Sequence, residues 1–152
     1  MRYSMVTLVI GALAVTVAHP QVSAAEMLIS EAESKLPPGL DSAMATRGIT
    51  RGPGIELVSP APGAQNVKSP LPLQLKFVGR NAVPIDTASV KLTYLRIPTV
   101  DLTDRVKPHV TKDGIDMPQA DVPPGNHLIR IDVKDAEGRS TSTTIMLVVA
   151  PK

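Results

Sequence analysis

The sequence predicts an all-β sandwich of about seven short antiparallel strands over residues 54–150, preceded by a signal peptide and a flexible leader. Three observations predict it. After Gly54, apolar and polar residues alternate in short runs, the pattern of strands buried on one face. Proline, glycine and aspartate clusters separate those runs, as turns require. A length of 152 residues with 43% hydrophobic content supplies the core of one ordinary domain.

Residues 1–25 have the form of a secretory signal peptide. Arg2 gives the positive start, Met5–Ala18 is a 14-residue uncharged run, and Val22-Ser23-Ala24-Ala25 offers the small residues that a signal peptidase accepts. A bilayer core takes about 20 apolar residues, so no transmembrane span is expected in the mature chain, and a periplasmic or secreted location is. Residues 26–53 show no period of two and contain Pro37-Pro38-Gly39, Gly48 and Gly52-Pro53-Gly54. They read as a flexible leader, with a possible short helix over Glu26–Leu36 that would be marginal in isolation.

The first strand is Ile55–Ser59, stopped by Pro60-Ala61-Pro62-Gly63. Leu71, Leu73, Leu75 and Phe77 alternate with Pro72, Gln74, Lys76 and Val78, which places Pro72 near a strand start or facing solvent, where no ladder bond is lost. Val90, Leu92 and Tyr94 share a face, and adjacent Tyr94-Leu95 breaks the alternation as a bulge or a change of sheet does. Val106–Val110 and Ile115–Met117 flank Thr111-Lys112-Asp113-Gly114, a hairpin turn. Ile129, Ile131 and Val133 form the next strand, Asp135–Gly138 turns with Gly138 left-handed, and Thr141–Val149 closes the domain. Leu73, Leu75, Ile129, Ile131, Ile145 and Leu147 are the expected core.

Leu57-Val58-Ser59-Pro60-Ala61-Pro62-Gly63-Ala64, then Val122-Pro123-Pro124-Gly125-Asn126-His127, leading through Asp132–Arg139 into a final strand, resembles bacterial Ig-like domains of exported proteins. The resemblance implies an immunoglobulin or fibronectin type III sandwich, and it says almost nothing of function. Such domains often place a tyrosine after the glycine that precedes the strand, and this chain has His127 there.

Composition excludes several functions. Aromatic residues are 2% of the chain and tryptophan is absent, so ring-built sites for sugars or bases cannot be assembled. A net charge of +2 from 16 basic and 14 acidic residues leaves no footprint for a phosphate backbone, so no nucleic-acid partner is expected. No Gly-x-Ser-x-Gly elbow, phosphate loop or paired-histidine metal motif is present, so no catalytic residue and no cofactor is expected.

Two function classes remain. The first is a non-catalytic binding or accessory module facing an envelope or extracellular protein. Its contacts would lie in Pro98–Pro108, where Asp101, Asp104, Arg105 and Lys107 give a polar rim and Leu102 an apolar anchor. A bland account of the same loop has Asp101 capping a short helical turn while Leu102 and Val106 plug the end of the sandwich. The second class is a periplasmic metal-handling protein, copper-carrier-like, using His109, His127 and nearby carboxylates.

Overall fold

The computed structural model describes residues 24–39 and 51–151. Residues 1–23 of the expected signal peptide and 40–50 of the expected leader lie outside the described residues. The fold is all-β, two sheets packed face to face. In chain order the strands are β1 (Glu26–Met27), β2 (Gly54–Ser59), β3 (Leu71–Val78), β4 (Ile85–Tyr94), β5 (Val100–Asp101), β6 (Val110–Thr111), β7 (Gly114–Asp121), β8 (Gly125–Asp135) and β9 (Ser140–Val149). Two single-turn helices interrupt them, α1 (Glu31–Ser34) and α2 (Thr103–Val106).

One sheet runs β2-β3-β7, with β1 and β6 both on the far side of β7; the other runs β5-β4-β8-β9. All pairings between these strands are antiparallel except β1 on β7, which is parallel. The alternation read from the sequence is the burial pattern. Leu71, Leu73, Leu75 and Phe77 of β3 point inward, as do Val90, Leu92 and Tyr94 of β4 and alternate residues of β8 and β9. The six expected core residues all belong to one buried cluster. Pro72 is exposed, and the β3–β7 register shifts between Leu71 and Leu73, so its missing donor falls at an irregularity.

The turn chemistry explains two glycines. At Gly114 φ is +154°, and a Cβ there would sit 1.8 Å from the Leu75 carbonyl oxygen, so strand approach allows only glycine. Gly138 has φ +80° and its N–H bonds the Asp135 carbonyl, closing the β8–β9 hairpin.

Two expectations are corrected here. Val106–Val110 is not a strand: Val106 ends α2, a 3-10 turn covers Lys107–His109, and only Val110–Thr111 pairs with β7. Pro108 lacks the donor that a ladder needs. Nor is the leader free over residues 26–39. Leu28 and Ile29 lie in the core, β1 pairs with Ala120 and Asp121, and Leu28 N–H bonds the Asp121 carbonyl at 3.0 Å. Burying two large aliphatic side chains offsets the conformational entropy lost in ordering the segment, including that of Gly39.

Candidate functional site

The Pro98–Pro108 loop is where the sequence places a partner surface, and the structure turns half of it inward. Leu102 and Val106 are both fully buried, four residues apart on one side of α2. Leu102 therefore plugs the end of the sandwich and offers no outward anchor. Backbone bonds fix the plug: Leu102 N–H donates to the Leu92 carbonyl, and Leu92 N–H donates to Thr103 Oγ1. Asp101 stands one position before the helix cap, which is Leu102, and its Oδ1 accepts the Thr103 N–H at 2.8 Å. Hydrogen bonds from Thr103 hold the Asp101 carboxyl below its usual range.

Arg105 is turned onto its own chain. Its Nη1 donates to Glu33 Oε2 and to the Leu28 carbonyl, both at 2.8 Å, and its Nη2 donates to Glu33 Oε1 at 2.7 Å. Glu33 is presented by a capping box, since Ser30 Oγ accepts the Glu33 N–H while Glu33 Oε2 accepts the Ser30 N–H. The Arg105 bonds, with help from Ser30, pull the Glu33 carboxyl down to about 2. Glu33, held by Ser30, and the Leu28 carbonyl thus form the socket, and Arg105 is the pin. Asp104 and Lys107 remain exposed, so of the five expected contact residues Asp101, Asp104 and Lys107 face solvent.

The two histidines hold different parts of the fold: His109 holds the N-terminal strap, residues 26–39, and His127 holds the corner that leads into β8. His109 Nε2 lies 2.7 Å from Glu26 Oε2, beside β1. His127 is buried, with Nε2 at 2.8 Å from the Pro123 carbonyl and Nδ1 at 2.8 Å from the Tyr94 hydroxyl. A carbonyl only accepts, so the ring proton sits on Nε2 and Nδ1 accepts from Tyr94. The Tyr94 oxygen in turn accepts from Arg96 Nε at 2.8 Å. Burial pushes the His127 ring below its ordinary value and the Tyr94 hydroxyl above its own. Both His127 nitrogens are spent, which leaves no lone pair for a metal. Among the described residues no three histidine or carboxylate groups cluster as metal ligands.

No sequence pattern marks Arg96. Besides Tyr94 it bonds the Leu36 carbonyl through Nη1 and the Asn126 carbonyl through Nη2, so it ties the strap to β8. Next to it lies a cleft of about 360 Å³ lined by Pro38, Leu95, Arg96, Asn126, Leu128 and Met146. A second groove, about 320 Å³, separates the β9 edge from Leu57 and Pro62–Gln65. No local signal marks either, because each joins residues far apart in sequence.

No protein-family model matches the chain, and no curated protein matches it. Among solved structures it is similar to an engineered protein determined by a structural genomics consortium, with a TM-score of 0.44 and 16% identity over 65% of this chain. The chain spans 20% of that protein's length.

Proposed function

We propose that this chain is a non-catalytic binding or accessory module of the periplasm or extracellular space, built on an Ig-like sandwich. The strand order carries the reading. One sheet is β2-β3-β7 and the other β5-β4-β8-β9, the division that Ig-type sandwiches make between their first, second and fifth strands and their third, sixth and seventh. His127 supports it further. It stands at the start of β8 and bonds the Pro123 carbonyl four residues upstream, doing at this corner what the tyrosine of the Ig-type corner does.

What the candidate groups touch supports a non-catalytic role. His127 spends both ring nitrogens on the Tyr94 hydroxyl and a backbone carbonyl, and His109 is bonded to the Glu26 carboxylate. Among the described residues no helix is long and apolar enough to cross a membrane. Affinity capture from the envelope fraction, with the whole chain as bait, tests the reading. A stoichiometric protein partner is expected, and capture of none, or turnover of a substrate by the purified chain, overturns it.

A further inference from the structure

The two sheets have four lateral edges, and three are blunted in ways that oppose strand pairing. The far side of β7 carries β1 and β6 at its two ends and Pro118 between them. On the β5 side the edge is β5, two residues long and running into α2, continued by the outer side of β4, which carries Asp86 and Lys91 and shifts register against β8 between them. The β2 edge is short, carries exposed Glu56, and shifts register between Leu57 and Ser59. The fourth edge, β9, is ten residues long and has neither a charge nor a proline in Ser140–Val149.

Which backbone groups that edge exposes can be derived. Val67 bridges the outer side of β9: its N–H bonds the Val148 carbonyl, and Ala150 N–H bonds the Val67 carbonyl. The backbone of Val148 therefore points away from β8. The β8–β9 register is unbroken from Val133–Thr141 to Gly125–Val149, so by the period of two the N–H and C=O groups of Ser142, Thr144 and Met146 also point outward. Among the described residues no strand pairs with them. The groove beside them is lined by the consecutive residues Thr143, Thr144, Ile145 and Met146, as a strand presenting its edge would line it, and none of its walls carries a charge.

We propose that this edge is a strand-acceptor site, and that its occupant is a short extended segment of a partner protein, about five residues long, with uncharged side chains toward the groove. The ends of the slot argue for a short segment. Near its start the backbone of Gly52 abuts Ser140, since a Cβ on Gly52 would lie 2.6 Å from the Ser140 carbonyl. At its other end Val67 already holds Val148. A second copy paired antiparallel about the slot's centre, Thr144, is excluded, because its Ser140 would fall opposite Val148, where Val67 stands. This proposal rests on the binding-module reading and names the site through which that module would bind.

The test uses the whole chain and a capped probe peptide of alternating valine and threonine, closed by a lysine at each end. Amide exchange in the free protein should be fast at Ser142, Thr144 and Met146 and slow at Thr143, Ile145 and Leu147. Saturable binding of the probe should slow exchange at the first three alone. Thr144→Pro removes one outward N–H without touching the β8 ladder, and N-methylating the probe on its facing side removes its donors while leaving the protein intact. Each should weaken binding at least tenfold. Protection of the three amides before the probe is added, no saturable binding, or equal affinity of the N-methylated probe overturns the proposal. The variant separates the two readings. If Thr144→Pro captures the same envelope partner as the unaltered chain, the edge is not the site and the module reading stands.

Discussion

The outer edge of β7 and the outer edge of β9 present the same backbone chemistry, and the chain treats them oppositely. At β7 the N-terminal segment adds β1, sinks Leu28 and Ile29 into the core, and is pinned by Glu33 on Arg105 and by Arg96 on the Leu36 carbonyl. At β9 the outward groups of Ser142, Thr144 and Met146 meet no other described strand. The difference teaches that edge protection here is not uniform: one edge is closed at a cost in ordered chain, while the other has neither the charge nor the proline that would close it cheaply.

If the strap is part of the fold, removing its buried side chain should be the most damaging change. Leu28→Ala is expected to cost about 2 to 5 kcal/mol, through lost burial and a residual cavity, in urea denaturation of the whole chain. An unchanged midpoint would return residues 26–39 to the status of a leader and dissolve the contrast between the edges.

The pin comes next. Arg105→Ala should cost about 1 to 3 kcal/mol, less than a deeply buried pair because both side chains keep some solvent contact. It also predicts a pH signature. Glu33 binds its proton more weakly folded, near 2, than at its ordinary value of 4.5, so its contribution is complete above pH 4.5 and is lost as pH falls from there toward 2. The stability curve of Arg105→Ala should be flatter than that of the unaltered chain across this window. Parallel curves would mean that the pair does not form in solution.

A smaller effect separates the corner from the edges. His127 titrates below its ordinary value of 6.5 in the folded chain because burial opposes its charge. The unfolded chain thus takes up the proton first, and stability begins to fall as pH drops below about 6.5. His127→Gln should remove that first part of the acid loss and leave the Glu33 part in place. A variant with an unaltered slope between pH 6.5 and 5 would show that His127 stays exposed to water.

The long alternating strands were legible because each residue's facing is set by its neighbours two positions away: Leu71 to Phe77 and Ile129 to Val133 announce their own burial. The strap was less so. Met27-Leu28-Ile29 is too short to show a period, yet Ser30 followed by Glu33 directly after it is a capping-box pattern, and that signal was available to the eye. Leu102 and Val106 sit at helical spacing within a charged loop, which allowed both a surface and a plug, and only packing against β4 decides for the plug. Arg105 and Glu33 are 72 residues apart, and Arg96 and the Leu36 carbonyl 60 apart, so no local pattern could join them. The openness of the β9 edge was half legible. Its lack of charge is written in the sequence, but that it ends a sheet is a fact of topology.

The smallest expected effect is the sharpest test of the contrast. Thr144→Glu places a charge on the outer face of β9 directly across from Arg130, where opposite charges on paired strands contribute roughly 0.2 to 1 kcal/mol and offset the loss of a β-branched residue. Ile145 and Leu147 of β9 face the core, and the strand's period of two sets Thr144 on the opposite face. Urea denaturation should therefore show a change within about 0.5 kcal/mol, the range of surface substitutions away from packed or hydrogen-bonded features. A charge here is the kind of residue by which sheet edges are normally closed, so stability that ignores it means the fold tolerates a protected β9 edge and does without one. A loss above about 1 kcal/mol would instead show that the outer face of β9 is packed as part of the sandwich, and the two edges would then differ in appearance alone.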